Sequence, residues 1–265
     1  MIVVDMHSHA FPDELAPKAI EALEAKADWK SFGTGTIDAR LESMDDAGID
    51  VAVICTIATR PELTEGILRW CKSIRSERIV PFASVHPADP DAPKWTRRIF
   101  DEGLQGIKMH AVYQDYCIDD PILDEVYGAA CETGLIVSPH CGRDTAAPDD
   151  VHRASPERIA RVIDRFPDLK LVCTHLGGWR MWDESEEHLI GKKNVPMEMS
   201  FTLHDLDPGR AVELFRMHGI DKILFGTDWP WVNPVEERRK LEQLDLASEE
   251  LDMILGANAA KILGL

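Results

Sequence analysis

The sequence predicts an α/β chain folded as a single (β/α)8 barrel with additional C-terminal helices. Three observations carry that prediction. Eight short apolar runs alternate with helical patterns along 265 residues, close to the roughly 250 that such a barrel takes. The runs are nearly continuous in β-branched and other apolar residues, as parallel strands covered on both faces are. No G-x-G-x-x-G follows the first strand, which removes the main support for an open dinucleotide-binding sheet.

The first strand is the run IVV at residues 2–4, ended by Asp5 and followed by His7 and His9. Side chains alternate along a strand, so histidines at i and i+2 point the same way. A helix over about 13–26 and a loop at 31–36 (SFGTGT) come next. IDARLESMDDAG (37–48) reads as a helix stopped by a glycine cap, with Leu41 and Met44 on one face. VAVICTI (51–57) is the second strand and, after a helix over 62–75, IVPFASV (79–85) is the third. A helix over 94–102 leads to GIKMH (106–110), one over 122–133 to LIVSPH (135–140), and one over 156–166 to LKLVCTH (169–175). VPMEMSF (195–201) is the seventh strand; a helix over 210–218 precedes the eighth, KILFGTD (222–228), and two or three helices follow from 235. With no low-complexity segment or long charge block, residues 1–265 read as one domain.

Composition narrows the function. Lys and Arg total 29 against 47 Asp and Glu, a net charge of −18. Such a surface repels phosphate backbones and anionic lipid, so no nucleic-acid or membrane partner is expected. The N-terminus lacks the pattern of a signal peptide, and no apolar run approaches the length of a membrane span. The six cysteines are scattered without a C-x-x-C, and Cys55 and Cys173 lie in apolar runs, as free thiols do. A reduced, cytoplasmic protein is expected, with a small-molecule substrate and a homodimer as the quaternary expectation.

In a parallel barrel the chemistry collects at the C-terminal ends of the strands. Those ends carry His7 and His9 (strand 1), Lys108 and His110 (strand 4), His140 (strand 5), His175 (strand 6) and Asp228 (strand 8). Half of the ten histidines therefore fall at one rim. Imidazoles and a carboxylate are the donors of a catalytic metal site that keeps a position open for water.

The pieces DMHSH (5–9), GIKMH (106–110), VSPHCG (137–142), THLGG (174–178), FGTDWPW (225–231) and GANAAKILGL (256–265) occur in an order that resembles the amidohydrolase superfamily. The resemblance is to its amidohydrolase 2 branch, which includes aminocarboxymuconate-semialdehyde decarboxylase and related hydrolases, lactonases and hydratases. It covers the whole chain, with THLGG and FGTDWP the most specific pieces. The resemblance implies His7, His9, His140 and Asp228 as ligands of one divalent ion, zinc by default. It implies His175 as an unligated histidine facing the reacting water, and Asp228 as both ligand and proton shuttle. The alternative is two ions bridged by a carboxylated Lys108, with His175 as a ligand.

Lys108, His110, Arg143 and Trp229 are the candidate substrate-binding residues. Lys108 suits a substrate carboxylate, His110 faces the same way, Arg143 follows PHCG, and Trp229 with Trp231 follows Asp228. The competing roles are an ion pair with a neighbouring acid for Lys108, a cap for His110, a surface salt bridge for Arg143 and simple core packing for the tryptophans. His86 reads as a turn residue, and His152, His188, His204 and His218 as loop or helix-surface residues. Segments 10–36 and 178–194 are expected to set specificity. The leading expectation is a metal-dependent hydrolase using a metal-activated water on an ester, lactone or amide bond of a small, carboxylated molecule. The alternative is a non-oxidative decarboxylase or hydratase of a small unsaturated or aromatic acid, and a third is a non-catalytic ligand-binding barrel.

Overall fold

Eight parallel strands follow one another around a ring: β1 (Val4–Ser8), β2 (Val51–Cys55), β3 (Ile79–Phe82), β4 (Gly106–Met109), β5 (Ile136–Pro139), β6 (Lys170–Leu171), β7 (Met197–Glu198) and β8 (Ile223–Leu224). The computed structural model describes residues 2–148 and 151–265. Ladders join β1 to β2 to β3, β4 to β5 to β6, and β7 to β8. Single bridges close the gaps: Ala83 with Ile107, Cys173 with Met197, and Ser8 with Trp229. The Met6 amide also donates to the Phe225 carbonyl at 2.9 Å, so the first and last strands meet and the sheet becomes a barrel.

Twelve α-helices surround it: α1 (Ala16–Ala27), α2 (Ile37–Ala47), α3 (Thr64–Ile74), α4 (Ala92–Asp101), α5 (Asp124–Thr133), α6 (Pro156–Arg165), α7 (Trp182–His188), α8 (Thr202–Asp205), α9 (Pro208–His218), α10 (Pro234–Glu242), α11 (Ser248–Asp252) and α12 (Asn258–Leu263). Three begin with the same two-residue device. Ser155, Asp207 and Asn233 each accept a hydrogen bond from a first-turn amide, and the proline that follows has no amide left to satisfy. Helix α2 starts at Thr36, whose hydroxyl accepts from the Ala39 amide, and ends at Gly48 with φ of 61°, as its glycine implies. Helices α7 and α8 are short, and no apolar period announces them. No described helix is long and apolar enough to cross a membrane, and all six cysteines are free.

Strands β6, β7 and β8 are shorter than their apolar runs. Each run leaves the ladder before its polar end, and the residues that break away adopt left-handed backbone: His175 (φ 56°), Phe201 (φ 59°) and Asp228 (φ 60°). That conformation is uncommon outside glycine and is held by its surroundings. The His175 amide donates to Glu198 Oε1 at 2.9 Å, and the Asp228 amide donates to the His7 carbonyl at 2.7 Å. The rim is thus built by bending strand ends out of the sheet.

A buried polar hub ties this rim to the first strand. Asp5 accepts from the His7 amide, from the Thr227 amide and hydroxyl, and from Arg40 at 2.6 Å. Both side chains of the Asp5–Arg40 pair are fully buried. The other face of the Arg40 guanidinium lies 5.6 Å from the Trp229 ring centroid.

The C-terminal segment packs directly onto β1. Between α11 and α12 the chain widens into a π-helical turn, Met253–Ala257, and a Cβ at Gly256 would stand 1.8 Å from the Ile2 carbonyl oxygen. Gly256→Ala must push the turn off β1, and overpacking of this kind costs about 1–3 kcal/mol. Urea denaturation is expected to show that loss as a lower midpoint; an unchanged midpoint would show that the turn yields freely.

Candidate metal centre

His7 and His9 leave β1 with their Nε2 atoms 3.1 Å apart. The other ring nitrogen of each is committed behind it. His9 Nδ1 lies 2.8 Å from the Cys55 carbonyl, which can only accept, so Nδ1 carries the proton. His7 Nδ1 lies 3.0 Å from Glu198 Oε1 and takes its proton there for the same reason. Both Nε2 atoms therefore present lone pairs. Asp228 Oδ1 completes the group, 3.1 Å from His9 Nε2 and 3.6 Å from His7 Nε2, buried and without a hydrogen bond. Burial pushes the Asp228 carboxyl up, whereas positive charge placed at His7 and His9 pulls it well below the usual carboxylate range, so the site favours the carboxylate with a cation beside it. Two lone pairs and an anion converge, with the Lys108 Nζ as a hydrogen-bond donor 3.0 Å from His7 Nε2. That donor set fits a divalent cation.

A second pair faces the same space. His140 Nε2 donates to the Arg143 carbonyl at 2.7 Å, and His175 Nδ1 lies 3.1 Å from the Ser200 carbonyl. Their remaining atoms, His140 Nδ1 and His175 Nε2, stand 3.1 Å apart. Burial pushes both imidazoles down to about 3, with the charge of His110 adding to the effect at His140 and that of His140 at His175. Left alone, two neutral rings oppose lone pairs, which a cation between them would relieve.

Lys108 lies beside the first group, its side chain fully buried and its Nζ 3.0 Å from His7 Nε2, to which it donates. Among the described residues no carboxylate lies within 4 Å of that Nζ, so the ion-pair role is not the one the structure gives it.

The groups form the inner end of a cavity of about 790 Å³. Its walls are largely aromatic and aliphatic, with Tyr113, Trp179, Phe201 and Trp231 near the histidines. His110 belongs to the wall, stacked on His140 with centroids 4.4 Å apart, and its Nε2 meets Asp144 at 3.2 Å.

The residues singled out from sequence are not all brought to one point. His7, His9 and Asp228 converge as expected, but His140 turns to His175 and shares no group with those three, because its Nε2 is spent on the Arg143 carbonyl. Trp229 is not among the residues that line the cavity. Its ring is buried with no exposure, between Gly33 and Arg40, and Trp231 takes the wall position instead. The Arg143 side chain is likewise absent from the wall, where the next residue, Asp144, stands. His86 does serve a turn, accepting from the Ala88 amide. His204 is exposed against Trp29, while His218, expected at the surface, is buried with its Nε2 on the Val195 carbonyl.

A family model described as amidohydrolase matches residues 4–265. The chain belongs to the amidohydrolase family. Membership marks it as an enzyme of a family whose members bind a divalent metal, and the described residues include groups that could hold one. No curated protein matches the sequence. Solved structures do match in fold. An uncharacterized TIM-barrel protein from Bordetella bronchiseptica superposes with a TM-score of 0.78 at 18% identity, over 100% of this chain and 99% of that one. The 2,6-dihydroxybenzoate decarboxylase from Rhizobium gives 0.73 at 17%, over 100% and 99%. A 5-carboxyvanillate decarboxylase from Novosphingobium aromaticivorans, solved with manganese and 4-hydroxy-3-methoxy-5-nitrobenzoic acid, gives 0.70 at 15%, over 100% and 96%. The (β/α)8 fold of this amidohydrolase-family chain is thereby shared with TIM-barrel proteins along its full length.

Sequence reasoning missed Glu198, Ser200 and Asp144. Glu198 is the most telling, a fully buried carboxylate whose Oε1 receives His7 Nδ1, the His175 amide and the Ser200 hydroxyl. A signal was available, since a lone acid inside the apolar run VPMEMSF is costly to bury without partners. Glu198→Gln keeps the volume but offers His7 a weaker acceptor. It is expected to weaken divalent-metal affinity about 10- to 100-fold in a chelator competition. Equal affinity in the two proteins would mean that Glu198 only packs.

Proposed function

We propose that this chain is a divalent-metal-dependent lyase that releases carbon dioxide, without oxidation, from a small aromatic or unsaturated carboxylic acid. The observation that carries the proposal is Lys108: a buried ammonium with no carboxylate within 4 Å among the described residues, beside the cation-fitting group, at the inner end of an aromatic-walled cavity. A substrate carboxylate is the anion that would complete it. Support also comes from the two decarboxylases of similar fold, whose names describe ring-bearing acids.

One ion, zinc or manganese by the nitrogen and carboxylate donors, would be held by His7, His9 and Asp228 and would supply a Lewis acid for substrate oxygens. The protein's own residues do the rest. Lys108 Nζ holds the carboxylate, while Tyr113, Trp179, Phe201 and Trp231 enclose the ring and exclude water, which disfavours the charged acid relative to neutral carbon dioxide. The carbon–carbon bond breaks with its electron pair staying on the ring carbon, and that carbon takes one proton. The His140–His175 pair, with Nδ1 of one and Nε2 of the other 3.1 Å apart, is placed to relay that proton from solvent in each turnover. A second ion in place of that proton, with Lys108 carboxylated, is the alternative occupancy.

Hydrolysis of a small ester, lactone or amide is the second reading. The unpartnered Asp228 Oδ1 favours it, since a carboxylate beside the ion is placed to take a proton from water while His175 steadies the oxyanion. The test is a panel of hydroxybenzoates and unsaturated acids, scored for carbon dioxide against a panel of aryl esters and lactones. The lyase reading expects one carbon dioxide per acid consumed, and a kcat/KM about 10- to 100-fold lower in Lys108→Met, the loss of a charge-assisted hydrogen bond. Turnover of esters or lactones with no acid decarboxylated would contradict it.

A further inference from the structure

The cavity is much larger than the ring of a small acid requires. Drug-sized ligands occupy pockets of about 300–1,000 Å³, and at about 790 Å³ this one lies in the upper part of that range. The excess has a definite place. Beyond the histidines the cavity runs out between α1 and α3, where Ala19, Ala22 and Leu23 of the first helix face Gly66, Ile67 and Trp70 of the second.

Both stripes follow helical spacing, so each is one face of its helix. Helix α1 buries only Ala16 and Ile20, while Ala19 and Leu23 are left half-buried and Ala22 exposed over the gap. The gap stays open because its middle is made of small residues. A Cβ placed on Gly66 would meet no atom within 4 Å.

Charge says what kind of arm fits. The outer end carries Glu62, Glu65 and Arg69, and the arginine is already 3.6 Å from Glu65 at an exposed position. Among the described residues that line that end, the cation is the Arg69 already spoken for, so an anionic tail would meet two carboxylates on a protein of net charge −18; Lys26 of α1 lies instead over the Tyr113 ring. Lys108, at the opposite end, is the buried cation of the cavity.

We infer that the space between α1 and α3 is a slot for an uncharged apolar arm, so that the substrate is an acid with one charged end at Lys108 and an alkyl or aryl extension leading outward. For its charged end this rests on the lyase reading above; the slot itself rests on the helix faces alone.

Calorimetry on the metal-replete protein with benzoate and its 4-methyl, 4-propyl and 4-hexyl derivatives, and with the matching 4-alkylphenols, tests it. Burial of each added carbon is expected to tighten binding about threefold, giving at least about a hundredfold across the benzoate series. Gly66→Leu replaces a glycine in an exposed helical position with a good helix former, so it folds. It fills the slot and is expected to flatten the series, the hexyl compound binding no tighter than the parent. No gain with length in the wild type would overturn the slot, as would a gain that persists in Gly66→Leu. If the phenols show the gain and the flattening while no benzoate binds, the slot stands and the acid end of the lyase reading falls.

Discussion

Each histidine at the rim has one ring nitrogen committed to a fixed acceptor behind it, and the site depends on that constraint. The Cys55 carbonyl holds His9, Glu198 holds His7, the Ser200 carbonyl holds His175 and the Arg143 carbonyl holds His140. A backbone carbonyl cannot donate, and an ionised carboxylate cannot either, so the proton sits on the far side of each ring. The lone pairs then have one place to go, which is the cavity. Opposed lone pairs 3.1 Å apart, with an ionised Asp228 beside them, favour positive charge, of which Lys108 Nζ, 3.0 Å from His7 Nε2, supplies a part. The fold thus gathers acceptors that a divalent cation beside Lys108 would satisfy.

The same acceptors explain why the rim has the backbone it has. Glu198 reaches His7 on β1 and the His175 amide after β6, so a single carboxylate sets the relation of two strand ends that are far apart in sequence. Asp5 does the corresponding work between β1, Arg40 on α2 and Thr227 just before Asp228. Burial pushes the Asp5 carboxyl up against the pull of Arg40, so the pair contributes little by its charge alone. Its value is positional, because removing either partner leaves a buried group unmatched and frees the loop that carries Asp228. The left-handed residues His175, Phe201 and Asp228 are tolerated because these contacts hold them.

Much of this was legible from the residues. Eight apolar runs separated by helical patterns give the barrel, since period and length are enough to tell parallel strands from helices. His7, His9 and Asp228 were legible because strand ends at one rim must converge. What was not legible depends on ring rotation and loop path. His140 and His175 meet each other, and which nitrogen of His140 faces inward is decided by a carbonyl three residues on, which no motif encodes. Trp229 and Trp231 differ only in which way one turn faces, and Arg143 and Asp144 likewise. Helix α1 matters most for the cavity's shape, yet its apolar residues Ala19, Ala22 and Leu23 read like any core-facing stripe. That they face an opening, not a core, is a property of the whole fold.

The most direct test is the metal content of the purified chain, by elemental analysis, for the wild type and for Asp228→Ala. About one divalent ion per wild-type chain, depleted in the variant, is the result expected if His7, His9 and Asp228 form the cradle. About two would place the second between His140 and His175. A wild-type chain that takes up no divalent ion when zinc or manganese is supplied would contradict the account at its centre.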